Sequence, residues 1–472
     1  MLFTAWSFIF FVLLPSVIGC VICEKILKKR RIMMENIILV VMSFLFFMWG
    51  DTKHVKVLII IILLNFLLGK IVPNKKWILL GGIIANLSVL AYYKYLHAIL
   101  VALSSVKTLG VDPWKIVAPI GISFIVFHAI SYLMDVYQGK AKASKQILNF
   151  ALYLCFFPKL MQGPIVKWQE MKPEIEERRI RWEDFVSGCE RFILGLGKKV
   201  LLANVLGEVV TTIFQLSDSG MDMGTAWLGA VCFTLQIYMD FSGYSDMAIG
   251  MGRMFGFHFK ENFDFPYRSL SITEFWRRWH ISLGAWFREY LYFPMGGSKR
   301  GNVYLHLLVV FLATGLWHGA SLVYVGWGLS HGICMLVERY LMKNGIYDKI
   351  PKWIRWGYTM FVVNLGWVVF QTGSPKSFGQ YAGYLFGVAH PKEPLAYSLP
   401  YFITRRTILI IGVVILGIII LGNEKIRKKM VDYNRESQIY GIMKYMVLTL
   451  LLILCFTAMV AGVYAPFLYF QF

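Results

Sequence analysis

Apolar stretches of about 20 residues recur from one end of the chain to the other, for example at 55–72, 77–97, 303–317, 405–422 and 445–470. Each is close to the length of helix that crosses the roughly 30 Å hydrocarbon layer of a bilayer. Inside that layer a segment must satisfy its own backbone hydrogen bonds, so apolar runs of this length fold as helices. The expected fold class is therefore all-α: a polytopic membrane protein with about 11 transmembrane helices, within a range of ten to twelve, plus interfacial or re-entrant helices. Composition agrees, with 57% hydrophobic residues and a mean hydropathy of +0.59, against about 45–50% apolar residues in soluble domains. The first segment, Leu2 to Cys23, has no basic leader and no small-residue cleavage site, so it is expected to stay as the first helix.

The formal charge of +21 does not point to nucleic acid, because the basic residues lie in short clusters between apolar segments instead of on one soluble domain. They gather at 25–31, 140–145, 159–181, 253–300 and 425–444, as in the cytoplasmic loops of membrane proteins. The stretch 217–222, with two Asp and no Lys or Arg, is expected outside. Seven cysteines sit mostly in apolar runs, among them Cys20, Cys23, Cys155, Cys232 and Cys455, and read as small core residues. The Cys20-x-x-Cys23 pair lies inside an expected span, which argues against a redox or metal motif, and no metal site is expected.

No Ser/Pro/Gly-rich linker and no period of about 20–50 residues divides the chain, so residues 1–472 are expected to form one membrane domain. Within it, 1–157 would be N-terminal helices, 158–320 the catalytic core and 321–472 C-terminal helices. Two inserts too polar to span interrupt the ladder, at 158–192 and 253–300.

The second insert carries the first candidate site. Ser271 with Glu274 three residues later has the form of a capping box, and a helix over 271–291 is expected. At helical spacing Phe275, Trp276, Trp279, Leu283, Trp286 and Tyr290 share one face, while Arg277, His280, Gly284 and Arg288 form a narrow opposite stripe. Such a helix can lie at the headgroup boundary with its arginines on lipid phosphate. The same stripe also suits an anionic donor, with His280 between cationic neighbours and Gly284 leaving the approach open.

A second site is the run from Thr314 to Ala320 (TGLWHGA), which holds His318 at the end of an apolar span. An ionisable residue at that depth is costly unless it faces the protein interior or water, so it is either functional or a structural interhelical histidine. Neutral imidazole suits the task of deprotonating an alcohol that attacks a thioester. The third cluster runs from Gln236 to Asp246 and includes Asp240, Ser242 and Tyr244. Its carboxylates are expected to face inward or to cap helix ends, and each could orient a histidine. His331, His128 and His306 read as packed or interhelical. No GxxxxGK[ST], HExxH or GxSxG motif is present.

Taken together, 240–246 (DFSGYSD), 274–292 (EFWRRWHISLGAWFREYLY), 294–297 (PMGG) and 316–319 (LWHG) resemble the membrane-bound O-acyltransferases (MBOAT), in the branch containing alginate O-acetyltransferase. Residues 118–127, 156–165 and the ending 465–472 are similar to the same branch, so the resemblance covers nearly the whole chain. It implies an MBOAT-type ring of tilted helices with a central tunnel, reached from both sides of a bacterial cytoplasmic membrane. It implies that His318 is the catalytic histidine and that His280 joins it. Arg277, Arg288 and Trp276 would then bind the donor, with Asp240, Tyr244, Ser242 and Trp317 in support. No tightly bound cofactor is implied; acetyl-CoA, or another acyl thioester, would enter as substrate. Membrane lipid, a polysaccharide acceptor and an extracytoplasmic acetyltransferase or esterase-like protein are the implied partners. D-alanyl transfer to teichoic acid is the activity of a related branch, and a transporter or flippase that uses intramembrane His and Asp is the rival from another class.

Overall fold

The computed structural model describes residues 3–27, 30–104, 116–217, 219–391, 397–436, 438–462 and 468. Lys28 and Lys29 of the first basic run, Asp218 of the acidic loop and all of the 465–472 ending except Leu468 lie outside the described residues. Among the described residues there is no strand.

The first helices are α1 (Trp6–Ile26), α2 (Arg31–Gly50), α3 (Val55–Ile71) and α4 (Lys76–Ser104). Shorter ones follow: α5 (Ile122–Tyr137), α6 (Ile147–Cys155), α7 (Phe157–Leu160) and α8 (Trp168–Glu176). Next, α9 (Trp182–Gly197) runs through a π-helical stretch into α10 (Asn204–Gln215), and α11 (Met223–Met254) continues well past the DFSGYSD motif. Asp240 and Asp246 therefore sit inside a helix and do not cap one. The second polar insert forms two short helices, α12 (Ile272–Arg278) and α13 (Ile281–Phe287). The chain finishes with α14 (Val303–His318), α15 (Leu322–Lys343), α16 (Lys352–Thr372), α17 (Pro375–Leu385), α18 (Arg405–Gly422), α19 (Glu424–Glu436) and α20 (Gln438–Val460).

Among the described residues, five helices are long and apolar enough to cross a membrane: α1, α2, α4 over Lys76–Val101, α18 and α20; α5 and α14 are apolar but shorter. The chain is thus an all-helical, multi-pass membrane protein.

It divides into two compact units, Met1–Phe192 with Tyr244–Glu261, and Ile193–Gly243 with Asn262–Phe472. In the first unit, aromatic packing of Phe8 on Phe46 and Phe157 (centroids 5.5 and 5.8 Å apart) joins α1, α2 and α7. Arg178 pairs there with the buried Glu35 at 3.3 Å. His128 is a packed histidine, as expected, with Nδ1 2.6 Å from the Phe124 carbonyl and Nε2 accepting from Val166 N–H. The five cysteines singled out above are all buried. The second unit is built on a core that includes Phe233, Phe275, Trp279, Trp327, Trp367 and Phe370. His306 is structural as well, with Nδ1 2.9 Å from the Gly297 carbonyl.

Candidate active site

His318 is the last residue of α14 and is 8% exposed. Aromatic rings enclose its imidazole: Trp317 at 4.7 Å, Phe370 at 4.9 Å and Trp327 at 5.1 Å between centroids. α14 can bring its histidine onto α15 because the two backbones touch. A Cβ on Gly315 would overlap the Tyr324 carbonyl oxygen, and one on Gly328 would overlap that of Phe311. Only glycine permits this approach.

His280 is 2% exposed and stands at the N-terminus of α13 with φ at +46°. Here the structure departs from the continuous helix expected over 271–291. The N-cap forms, with Ser271 Oγ accepting from Glu274 N–H at 2.9 Å and the Glu274 carboxylate reaching back to Leu270 N–H at 2.9 Å, but the helix stops at Arg278 and restarts at Ile281. The loop before it makes the break possible: Asp264 N–H donates to the Arg278 carbonyl and Ile281 N–H to the Asn262 carbonyl, each at 3.0 Å. Two backbone groups that a helix would have paired internally are satisfied from outside.

The break separates the expected stripe. Arg277, Gly284 and Arg288 are exposed, whereas His280 turns inward. Neither Arg277 nor Arg288 has an ion-pair partner among the described residues, while Arg278 pairs with Glu274 at 2.9 Å and with Asp264. Trp276 does not accompany the two arginines. Its ring packs into the core against His331 (5.4 Å), Trp327 (5.6 Å) and Phe311 (5.7 Å).

Asn262 is what holds His280. Its Oδ1 lies 3.2 Å from His280 Nδ1, and also accepts from Ser282 N–H at 3.1 Å and Ser282 Oγ at 2.9 Å. The backbone N–H is an unambiguous donor, which identifies that Asn262 atom as oxygen and puts the imidazole proton on Nδ1. Nε2 is left with its lone pair, buried and without a hydrogen-bond partner among the described residues. Burial pushes the imidazole down to about 3, so it is neutral at physiological pH. Trp317 stands between the two histidines, 6.2 Å from the His280 ring and 4.7 Å from that of His318.

The structure corrects the expectation that Asp240 orients a histidine. Its carboxylate faces inward, but it binds the buried Lys199 ammonium and accepts from Leu468 N–H at 2.9 Å. Ser242 is buried in the second unit, and its hydroxyl has no hydrogen-bond partner there among the described residues. Tyr244 belongs to the first unit and stacks on Phe3 at 4.6 Å. Asp246, also in that unit, pairs with Arg191 at 2.8 Å. Sequence reasoning missed Asn262, Lys199 and Glu338, whose carboxylate accepts from Ile272 N–H (2.6 Å) and Thr273 N–H (2.9 Å) at the start of α12. No local pattern marks them, since each acts on a residue far away in the chain.

Comparison with known proteins adds a family and relatives. The model of the membrane-bound O-acyltransferase family matches residues 122–363, which include both histidines. The chain is 39% identical over 351 residues to a probable alginate O-acetylase of Pseudomonas putida, covering 71% of this chain and 72% of that one. It is 32% identical over 421 residues to a peptidoglycan O-acetyltransferase of Helicobacter pylori, covering 80% and 78%. A teichoic acid D-alanyltransferase of Bacillus subtilis is more distant, 25% identical over 271 residues, with 53% and 66% covered.

Proposed function

Because the chain belongs to the membrane-bound O-acyltransferase family, in its alginate O-acetylase-like branch, we infer that this O-acyltransferase moves acetyl from a cytoplasmic thioester, acetyl-CoA, across the bacterial cytoplasmic membrane. Its product is an O-acetyl ester on an extracellular or cell-wall polysaccharide, completed by an extracytoplasmic partner. The observation that carries this reading is a pair of buried imidazoles with one indole between them, in a chain whose relatives are named for O-acetyl transfer. In the proposed architecture about 11 spans form a ring around a tunnel that leads donor and acceptor to the pair.

The chemistry follows from the side chains. An acceptor hydroxyl attacks the thioester carbonyl and its proton passes to His318; a C–O bond replaces the C–S bond, and the thiolate leaves as a thiol on taking up a proton. His280, neutral and held by Asn262, presents an unprotonated Nε2 to the same space. Arg277 and Arg288, exposed and without ion-pair partners among the described residues, are available to donor phosphate. The peptidoglycan relative supports a wall polymer as acceptor as readily as an exopolysaccharide. The relatives named as acyltransferases favour an enzyme over a flippase, and the lower identity and coverage of the D-alanyltransferase favour acetyl.

The test is acetyl transfer from acetyl-CoA by purified protein with its partner, in membranes or nanodiscs. His318→Ala is expected to fold and to lose about 10²–10⁴-fold in rate, and Arg277→Ala to raise KM for acetyl-CoA. Undiminished transfer by folded His318→Ala removes that residue from the mechanism.

A further inference from the structure

One turn apart on α15, beneath His318, lie Trp327 and His331, each 2% exposed. The Trp327 ring is 5.1 Å from His318 and 5.2 Å from His331, and Trp276 closes the group at 5.4 Å from His331. Sequence reading took His331 as packed or interhelical and gave Trp276 to donor binding. Their nitrogens add a different signal: Trp276 Nε1, Trp327 Nε1 and His331 Nδ1 are buried without a hydrogen-bond partner among the described residues. Buried N–H groups in native proteins are almost always paired, so a cluster of orphans beside a reactive histidine calls for an occupant.

Gly366 on α16 faces these rings, and a Cβ placed there would come within 2.8 Å of His331 Nε2 and 3.3 Å of Trp327 Nε1. The facing helix thus meets Trp327 Nε1 and His331 Nε2 with bare backbone, and no side chain at position 366 stands against the indole N–H. An indole nitrogen can only donate, so the matching ligand atom is a pure acceptor.

We propose that Trp327 Nε1–H, with His331, forms the oxyanion site of acyl transfer, donating to the carbonyl oxygen of the thioester, with bare backbone at Gly366 on the facing helix. This rests on the reading of His318 given above. When the acceptor hydroxyl adds, the C=O electron pair moves onto that oxygen and its proton goes to His318. The donors stabilise the resulting alkoxide until the carbonyl re-forms and the C–S bond breaks. Donors set in advance where charge develops contribute to kcat more than to ground-state binding.

Trp327→Phe keeps the ring and removes the N–H. It is expected to lower kcat about 10²-fold, with KM for acetyl-CoA nearly unchanged and the unfolding temperature retained; Gly366→Ala, whose methyl would press on both rings and displace the indole N–H, is expected to lower kcat as well. A second readout is binding of two inert analogues, the ketone with CH₂ in place of sulfur and the ethyl thioether that lacks the carbonyl. Wild type is expected to prefer the ketone, and both variants to lose that preference. A folded Trp327→Phe protein with wild-type kcat overturns the proposal, as does equal discrimination by wild type and Gly366→Ala, the comparison that decides if Trp327→Phe does not fold. With His318→Ala assayed alongside, an inactive His318→Ala beside a normal Trp327→Phe rejects this inference alone, whereas an active His318→Ala rejects the reading beneath it.

Discussion

A left-handed backbone costs a residue other than Gly, Asn or Asp about 1–2 kcal/mol, and His280 adopts it at φ +46°. Asparagine tolerates that conformation, so His280→Asn is expected to fold while losing the imidazole. The substitution also isolates a pH effect. Burial holds the folded imidazole at about 3, below its usual 6.5 in the unfolded chain. Between those values the unfolded state binds a proton that the folded state does not, so stability falls as pH is lowered through this window. Acidification from pH 7 to 5 is expected to destabilise wild type by about 2 kcal/mol more than His280→Asn. Thermal unfolding of both proteins at the two pH values measures this, and identical shifts reject it. At this scale the sequence made the histidines visible, because an imidazole beside an apolar run stands out. It hid Asn262, whose contact depends on the path of a loop, and the indole of Trp327, because a tryptophan in an apolar helix reads as packing whichever way its nitrogen points.

Helices were legible at their starts more than in their interiors. Ser271 and Glu274 marked the beginning of α12 correctly because a capping box is a local device. The stop after Arg278 left no local mark: 271–291 contains no proline, and its glycine lies four residues beyond the break. What breaks the helix is backbone pairing with residues 262 and 264, which no periodicity over 271–291 can report. The same holds for Glu338, which reaches from α15 to the N-terminus of α12. Glu338→Ala leaves those N–H groups unpaired and is expected to cost about 1–3 kcal/mol. Glu338→Gln retains an acceptor oxygen and recovers part of the loss. Melting temperatures in detergent check the order, and a Glu338→Ala protein as stable as wild type refutes it.

For the whole molecule, the apolar ladder correctly announced a helical, multi-pass membrane protein. Counting its rungs was harder, because hydropathy registers any apolar run while a crossing also needs length: α3 is strongly apolar yet 17 residues long. Nor do the two compact units follow chain order, since each is built from separate stretches and two of the three divisions fall inside α9 and α11. The second unit is closed by a long-range contact, with Leu468 returning to Asp240 and the buried ammonium of Lys199. Lys199→Met strands a buried carboxylate and is expected to cost about 3–5 kcal/mol, whereas adding Asp240→Leu removes the stranded charge and restores much of it. If the double variant melts no higher than Lys199→Met alone, the pair is not the closing element.

Where α14 meets α15 at Gly315 and Gly328, main chain lies against main chain, with no side chains between to shear or repack. These helices have no room to slide or part, so His318 on one and Trp327 on the other keep their spacing through a catalytic cycle. The motions that admit a donor and release a product must then belong to the loops and to more loosely seated helices around this pair, and variants that change turnover without touching chemistry are to be sought there.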